Sequence, residues 1–194
     1  DLKAFDVALL GGDTAASQGA MSVTVTAFGE VPKGSALLRG GARAADLLCV
    51  TGTIGDAALG LRVLEGRALP MAQDHAEALT DRYLLPQPRM AMGLALRGLA
   101  TAAADVSDGL VADVGHICAA SGVAAVIPWS AVPRSFAAQR AIMDDPALRQ
   151  LVLGGGDDYE IVFTVPPDRR TAVQTEAARV GTEVSVIGRI VPPS

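Results

Sequence analysis

The sequence predicts an α/β fold of the α+β kind, in which helices cover a mixed β-sheet in layers. Short apolar runs alternate along the chain with longer segments of helical periodicity, which is typical of strands and helices packed in layers. The 21 glycines suit tight loops between these elements. Half of the 194 residues are hydrophobic but only 4% are aromatic, so we expect a large, mainly aliphatic core.

The predicted strands are short runs of apolar and β-branched residues. We expect them at residues 7–10, 22–28, 46–51, 102–106, 123–127, 160–165 and 184–190. The predicted helices occupy residues 57–65, 73–84, 88–99, 110–121, 133–143, 146–151 and 168–180. Residues 29–41 contain Pro32 and several glycines, which indicates a connection between two domains, at 1–33 and 34–194. Short connections allow some antiparallel pairing, so the predicted sheet is mixed.

Charge and composition exclude several classes of protein. The net charge is −5 and no basic run is present, so we do not expect a nucleic-acid-binding surface. No apolar run reaches the roughly 20 residues that cross a bilayer. Cys49 and Cys118 fall on a predicted strand and a predicted helix, which favours core thiols and a cytoplasmic protein. The chain begins at Asp1 without a leader, so we expect it to be processed, engineered or cut out of a longer protein.

Aspartates stand in glycine-containing turns at the ends of three predicted strands. The three turns are Gly11-Gly12-Asp13, Asp105-Val106-Ser107-Asp108-Gly109 and Gly155-Gly156-Asp157-Asp158. Glycine lets backbone N–H groups approach a phosphate, and carboxylate oxygens are ligands that Mg²⁺ prefers. Ligands of open α/β sheets also bind at strand ends. The turns therefore predict a site for magnesium and a phosphorylated ligand.

Structural explanations compete with this prediction. Ser107 or Asp108 could cap the following helix, and Gly11-Gly12-Asp13 could be an ordinary turn. Capping does not explain Asp105, because a carboxylate in or beside an apolar strand is costly unless it is paired or bound to a metal. Asp157, Asp158 and Glu160 would repel one another unless a cation or donor offsets their charges, although some of them could simply face water.

The rest of the sequence offers little further chemistry. His75 and His116 lie on predicted helices without a second histidine at metal-binding spacing, so we interpret both as surface or interface residues. The loop at 52–56 follows a strand and opens a helix, which suits a phosphate. A plain strand-to-helix loop explains it equally simply, and we prefer that interpretation.

Five motifs occur in a characteristic order along essentially the whole chain. They are Leu10-Gly11-Gly12-Asp13-Thr14, Leu38-Arg39, Asp105-Val106-Ser107-Asp108-Gly109-Leu110 with Asp113-Val114-Gly115-His116-Ile117, Gly155-Gly156-Asp157-Asp158-Tyr159-Glu160, and Ile187-Gly188-Arg189. In combination they resemble the thiamine-monophosphate kinase family of the aminoimidazole-ribonucleotide-synthetase-like superfamily. The resemblance implies that superfamily's C-terminal α/β domain, preceded by a remnant of its N-terminal domain.

The resemblance also implies an activity. Members of the family transfer the γ-phosphoryl group of ATP to thiamine monophosphate, with Mg²⁺, in the cytoplasm and as homodimers. No catalytic side chain is implied, because the substrate phosphate is largely a dianion at neutral pH and needs no strong base. By position in the motifs, ATP would contact Gly12, Asp13, Arg39 and Ser107, magnesium would contact Asp13, Asp105 and Asp108, and the thiamine substrate would contact Asp157, with Asp158 as a supporting neighbour.

Two departures from the family pattern limit these expectations. Family members have a longer N-terminal segment, which carries further aspartates and builds the dimer, and this segment is absent from this sequence. The family's C-terminal stretch, with an aromatic residue near the thiamine, is absent as well. We therefore expect this chain alone to be weakly active or inactive. Two alternatives stay open: another ATP-using enzyme of the superfamily, of the hydrogenase-maturation or purine-pathway type, and a non-catalytic binding or assembly module.

Overall fold

Five short apolar strands hydrogen-bond into one antiparallel sheet in the part of the chain that the computed structural model describes, residues 2–67 and 71–193. The strands are β1 (Leu47–Thr51), β2 (Ala102–Asp105), β3 (Ala124–Val126), β4 (Ile161–Val165) and β5 (Val184–Val191). Their order across the sheet is β2-β4-β1-β5-β3. Strands β2 and β3 are therefore the edges, and β1 lies at the centre.

The observed sheet confirms the α+β class but corrects the prediction of a mixed sheet. Each of the four strand pairs in the described residues is antiparallel, with Leu48 opposite Thr164 and Ala104 opposite Val162 in the register. Helix and strand alternate along the sequence, but connections that contain helices can return the chain in either direction. The alternation therefore predicts the class of fold without fixing the direction of the strands.

Helices cover both faces of the sheet. They are α1 (Asp56–Leu64), α2 (Gln73–Leu84), α3 (Met90–Ala95), α4 (Leu110–Ser121), α5 (Phe136–Asp144), α6 (Leu148–Gly154) and α7 (Arg170–Val180). Short 3₁₀ turns occur at Leu2–Phe5, Trp129–Ala131 and Pro167–Arg169. No helix in the described residues is long and apolar enough to cross a membrane.

Successive side chains of the strands β1 and β4 enter two separate cores, as the period of two along a strand requires. Leu48 and Val50 pack in a large core with residues of α1, α4, α5 and α6. Cys49 and Phe163 face the opposite side and pack against Met92 of α3 and residues of α7. Burial raises the pKa of the Cys49 thiol to about 12, which agrees with the expected core thiol.

The chain forms two units, Asp1–Val31 and Pro32–Ser194, and the sheet and its helices belong to the second. In the first unit the predicted strands at 7–10 and 22–28 are wrong, since no described residue there forms a strand. Val23, Val25 and Phe28 are strongly exposed. A β-branched run becomes a strand only when a second strand pairs with it, and the described residues supply none. The domain boundary after residue 33 stays a prediction.

Candidate functional site

The candidate site lies where the antiparallel pair β2–β4 continues beyond its last regular residues. Asp105, the final residue of β2, stands opposite Ile161, the first residue of β4. Backbone hydrogen bonds extend this pairing, from Val106 N–H to the Glu160 carbonyl at 2.8 Å and from Tyr159 N–H to the Val106 carbonyl at 2.9 Å. Two of the aspartate-containing turns predicted from the sequence are thereby held side by side.

Glycine is required where these two turns approach each other. A Cβ atom on Gly156 would lie 2.1 Å from the Ser107 carbonyl oxygen, far inside van der Waals contact. Asp157 N–H donates to the same oxygen at 3.0 Å. Gly109, at the start of α4, has a φ of 106°, and a Cβ there would lie 2.7 Å from the Gly154 carbonyl oxygen.

Three predicted site residues come together around Tyr159. The pKa of the Tyr159 hydroxyl is raised by burial, and further by the negative charges of Asp157, Asp105 and Asp108. The hydroxyl lies 3.4 Å from the Asp157 carboxylate. Asp157 and Tyr159 have left-handed backbone φ angles of 70° and 50°, a strained conformation that often marks a functional loop.

Asp105 is more exposed than the sequence suggested. Its side chain is 56% exposed and that of Asp108 is 67% exposed. The expectation of a costly carboxylate in an apolar strand is therefore wrong, because Asp105 is the last residue of β2 and its side chain faces solvent, whereas Ala102 and Ala104 of the same strand are buried. Exposed carboxylates remain suitable ligands for magnesium, which keeps several of its water molecules when it binds to proteins.

Arg39 lies beside Asp105, with Nη2 3.9 Å from Oδ1. The segment that carries Arg39 runs alongside β2, since Ala103 N–H donates to the Leu38 carbonyl. A groove of about 460 Å³ runs along this edge and is lined by Leu37, Leu38, Arg39, Ala103, Ala104, Asp105 and Ile161. The residue predicted to reach ATP and one predicted magnesium ligand therefore share a groove.

A buried aspartate, Asp113 of α4, holds the turn that contains Ser107 and Asp108. Its Oδ2 accepts hydrogen bonds from the backbone N–H groups of Ser107 at 3.1 Å and Asp108 at 3.0 Å. Burial raises the pKa of Asp113, and the charges of Asp108 and Asp105 act in the same direction. Gly109 precedes the helix without a side-chain cap, so the alternative in which Ser107 or Asp108 caps α4 is not observed.

Asp158, expected to support the substrate site, points away from solvent. It is fully buried, and its carboxylate accepts hydrogen bonds from the N–H groups of Gly55 at 2.6 Å and Ala57 at 3.2 Å, at the start of α1. Burial raises its pKa to about 7 although these bonds favour the charged form. Asp158 thus accepts N–H groups at the end of the 52–56 loop that would otherwise be available to a phosphate. Its supporting role in substrate binding stays a prediction.

Glu160 is one of the three carboxylates expected to need an offsetting cation or donor, and two arginines supply it. Its side chain is fully buried, and it pairs with Arg82 at 3.0 Å and with Arg89 at 2.7 Å. Thr51 donates a further hydrogen bond of 2.6 Å from its hydroxyl. Arg82 also donates to the Asp158 carbonyl, so it connects α2 to the loop that carries Asp157. A glutamate directly before an apolar strand was the available signal, but its partners Arg82 and Arg89 lie 78 and 71 residues away in sequence.

Gly12 and Asp13 belong to the first unit and are exposed, with Thr14 N–H donating to Asp13 Oδ1 at 2.8 Å. Their predicted contacts with ATP and magnesium stay predictions.

The two histidines differ in their surroundings. His75 makes a T-shaped contact with Phe136, and His116 is half exposed, with Nε2 3.9 Å from the Asp108 carboxylate.

Comparisons with known proteins identify the family of the chain. The family described as AIR synthase related protein, C-terminal domain, matches residues 43–194. Because this match covers more than half of the sequence, the chain belongs to the AIR synthase related family and carries its C-terminal domain.

Within that family the chain is similar to proteins named thiamine-monophosphate kinase, which confirms the resemblance inferred from the motifs. It is 43% identical over 189 residues to the protein from Salmonella typhimurium, covering 97% of this chain and 57% of the relative. It is also 43% identical over 190 residues to the protein from Caulobacter vibrioides, covering 96% of this chain and 53% of the relative. The chain therefore spans somewhat more than half the length of these curated relatives.

Solved structures give the same picture. The crystal structure of thiamine-monophosphate kinase from Stenotrophomonas maltophilia has a TM-score of 0.78 and 42% identity, covering 84% of this chain and 53% of that one. AaThiL complexed with AMPPCP and TMP has a TM-score of 0.70 and 30% identity, covering 81% of this chain and 48% of that one. The hydrogenase maturation protein HypE from E. coli, at 20% identity and a TM-score of 0.68, shares the fold.

Proposed function

We propose that this chain takes part in the ATP-dependent phosphorylation of thiamine monophosphate to thiamine diphosphate. The observation that carries the proposal is the backbone pairing that brings the turn of Asp105 and Asp108 beside the loop of Asp157, at one end of the β2–β4 pair. Similar proteins are named thiamine-monophosphate kinase, and one similar structure is complexed with AMPPCP and TMP. This arrangement supports the same reaction here.

In the proposed reaction, an oxygen of the thiamine monophosphate phosphate forms a bond to the γ-phosphorus of ATP. The bond from that phosphorus to the β,γ-bridging oxygen breaks, and ADP leaves. The attacking phosphate is largely a dianion near pH 7, since phosphate monoesters have a second pKa of about 6, so no side chain has to remove a proton. The residues of the site act by binding and orienting the two phosphorylated substrates.

Asp105 and Asp108 are the described residues that we propose as magnesium ligands. Their carboxylates supply hard oxygen donors, and their side chains are open to water, which suits an ion that retains part of its hydration shell. Bound magnesium would offset the repulsion between the two phosphate groups. We propose Asp13 as a further ligand, on the strength of its motif.

We propose that Arg39 contacts the phosphates of ATP from the groove along β2, with Ser107 as a second contact. Gly12 and Asp13 are proposed as ATP contacts on the strength of their motif alone. A guanidinium group donates well-directed hydrogen bonds to phosphate oxygens. We propose that Asp157, held in its strained loop, contacts the thiamine substrate. Its carboxylate would attract the positively charged thiazolium ring and repel a phosphate, which orients the substrate with its phosphate toward ATP.

The proposal is tested by ligand-induced stabilisation of the 194-residue chain. A specific ligand present at 100 times its Kd adds about 2.7 kcal/mol to the free energy of unfolding. We expect thiamine monophosphate with MgCl₂ and AMPPCP to raise Tm, and a phosphorylated acceptor of unrelated shape, such as a purine ribonucleotide, to have no effect. Asp157→Asn should remove the response to thiamine monophosphate.

Asp168→Asn is the matched control, because Asp168 is exposed beyond the opposite end of β4. Equal responses to both acceptors, or an unchanged response in the Asp157 variant, would contradict the proposal. A steady-state assay of thiamine diphosphate formation then measures the activity of the chain itself. We propose that it is much lower than that of the Salmonella typhimurium relative. The cytoplasmic location, the homodimer and the absence of nucleic-acid binding remain predictions.

A further inference from the structure

A cluster of three possible metal ligands lies at the start of α4. Asp108, Asp113 and His116 each offer one ligand atom, and these atoms lie within 4.8 Å of one another. Asp113 and His116 are three residues apart on the helix, which places their side chains on one face. A carboxylate and a histidine at this spacing also provide metal ligands in helical carboxylate proteins.

One buried oxygen in this cluster lacks a partner. Asp113 is fully buried, and its Oδ2 accepts both backbone N–H groups of the preceding turn. Its Oδ1 has no hydrogen-bond partner among the described residues and no contact with solvent. A proton on Oδ1 would not remove the deficit, because the resulting hydroxyl would need an acceptor. Such an unpaired buried oxygen destabilises the folded chain, and a bound cation would offset that cost.

An ion pair between His116 and Asp108 does not account for the cluster. The His116 side chain is about half exposed and that of Asp108 about two-thirds exposed. Nε2 lies 3.9 Å from Oδ2, so the interaction between the two groups is weak in water. That pair also leaves Asp113 Oδ1 without a partner. Because both side chains are exposed, they are free to rotate. A rotation that moves their ligand atoms by roughly 1 Å would bring the three ligands to metal-bonding distances of about 2.0–2.2 Å.

We propose that Asp108, Asp113 and His116 bind a divalent transition-metal ion, of the Mn²⁺, Co²⁺ or Zn²⁺ type. Asp113 Oδ1 and Asp108 supply carboxylate oxygens, His116 Nε2 supplies an imidazole nitrogen, and water completes the coordination. An imidazole ligand selects this class of ion over Mg²⁺, which prefers oxygen ligands throughout. The site shares Asp108 with the proposed magnesium site but differs from it in His116 and Asp113. The inference requires no kinase activity of the chain.

Cobalt is a suitable probe, because bound Co²⁺ has visible absorption bands that report its ligands. Co²⁺ is titrated into the untagged 194-residue chain, and we expect one equivalent to bind with bands typical of nitrogen and oxygen ligands. His116→Ala should weaken binding at least about 10-fold, since even the loss of an outer-shell partner of a metal site costs about 10- to 100-fold. Mg²⁺ competes for Asp108 but should displace Co²⁺ only at a much higher concentration, because Mg²⁺ does not favour the imidazole ligand.

His75→Ala is the matched control, because the chain has two histidines and His75 lies on α2 beside Phe136. Asp113→Asn should abolish Co²⁺ binding, and circular dichroism checks whether this variant is folded. His116→Ala should leave the fold unchanged, because the His116 side chain is half exposed. Absence of Co²⁺ binding at millimolar concentration would overturn the proposal. So would equal affinity in wild type and His116→Ala, or a thiolate charge-transfer band that assigns the ion to a cysteine.

The same samples separate this proposal from the proposed kinase function. Stabilisation by thiamine monophosphate is measured with MgCl₂ in wild type and in the His116 variant. Failure of that ligand to bind, with cobalt binding intact, would contradict the kinase function alone. The reverse result would contradict the transition-metal site alone.

Discussion

The guanidinium group of Arg89 forms two hydrogen bonds with the buried carboxylate of Glu160, from Nε to Oε2 at 2.8 Å and from Nη2 to Oε1 at 2.7 Å. Arg82 adds a third contact at 3.0 Å, from α2. One fully buried carboxylate thereby connects the start of β4 to two segments that cover it. The loop carrying Asp157 immediately precedes Glu160, so these ion pairs also hold one side of the candidate site.

Glu160→Gln should destabilise the chain by about 3–5 kcal/mol, because it leaves two partly buried arginines without a matching charge. Urea denaturation, followed by circular dichroism, measures the free energy of unfolding. Glu176→Gln is the control, since Glu176 pairs with Arg179 on the exposed surface of α7 and should cost less than about 1 kcal/mol. Similar losses in the two variants would show that burial does not determine the strength of the Glu160 pairs.

The pKa of Asp158, raised to about 7 by burial, predicts a pH dependence of stability. The folded chain holds this proton more tightly than the unfolded chain, in which the pKa is near 3.8. The corresponding stability is complete below about pH 4 and is lost as the pH rises to about 7, by roughly 4 kcal/mol at most. Burial also raises the pKa of Asp56 and Asp113, which acts in the same direction.

Asp158→Asn tests this dependence, because the amide keeps the shape of the carboxyl group and cannot ionise. We expect the free energy of unfolding to vary less between pH 4.5 and 7.5 in the variant than in wild type. Urea denaturation at four pH values in this range measures both slopes, with Asp168→Asn as an exposed control. Parallel curves for wild type and Asp158→Asn would refute the assignment of the pH dependence to this residue.

Gly156→Ala should separate the two turns of the site. The new Cβ would lie 2.1 Å from the Ser107 carbonyl oxygen, so the backbone must move, at a cost of about 1–3 kcal/mol. We expect a lower Tm and a loss of stabilisation by thiamine monophosphate. Gly115→Ala is the control, because Gly115 is an exposed position of α4 and a Cβ there meets no atom within 4 Å. Alanine at this position should stabilise the helix by about 0.5–1 kcal/mol. A Gly156 variant as stable as wild type would show that the close approach is relaxed in solution.

Local patterns in the sequence were sufficient to predict the strands of the second unit and two turns of the site. Strand β4 is an apolar run after three glycines, and its glycine turn meets the turn after β2 as expected. Strand direction and the partners of Glu160 depend on residues far apart in sequence, which local periodicity does not encode. Asp158 illustrates the same limit, because its neighbour Asp157 reaches the site while its own carboxylate binds the start of α1. The strand predicted at 22–28 failed because pairing, and not composition, decides whether a β-branched run forms a strand.

Arg39→Ala should weaken nucleotide binding without affecting the fold. Its side chain is 51% exposed and lies 3.9 Å from Asp105, so the ion pair contributes little to stability. A phosphate contact is worth more, and we expect the Kd for AMPPCP with MgCl₂ to rise about 10-fold, which corresponds to roughly 1.4 kcal/mol. Calorimetric titration measures the affinity. Arg43→Ala is the control, because Arg43 is also exposed and lies four residues further along the chain. Raising the salt concentration should also weaken binding to wild type more than to Arg39→Ala, because the lost contact is electrostatic. Equal affinities in the two variants would remove Arg39 from the nucleotide site and leave the groove along β2 without a role in the reaction.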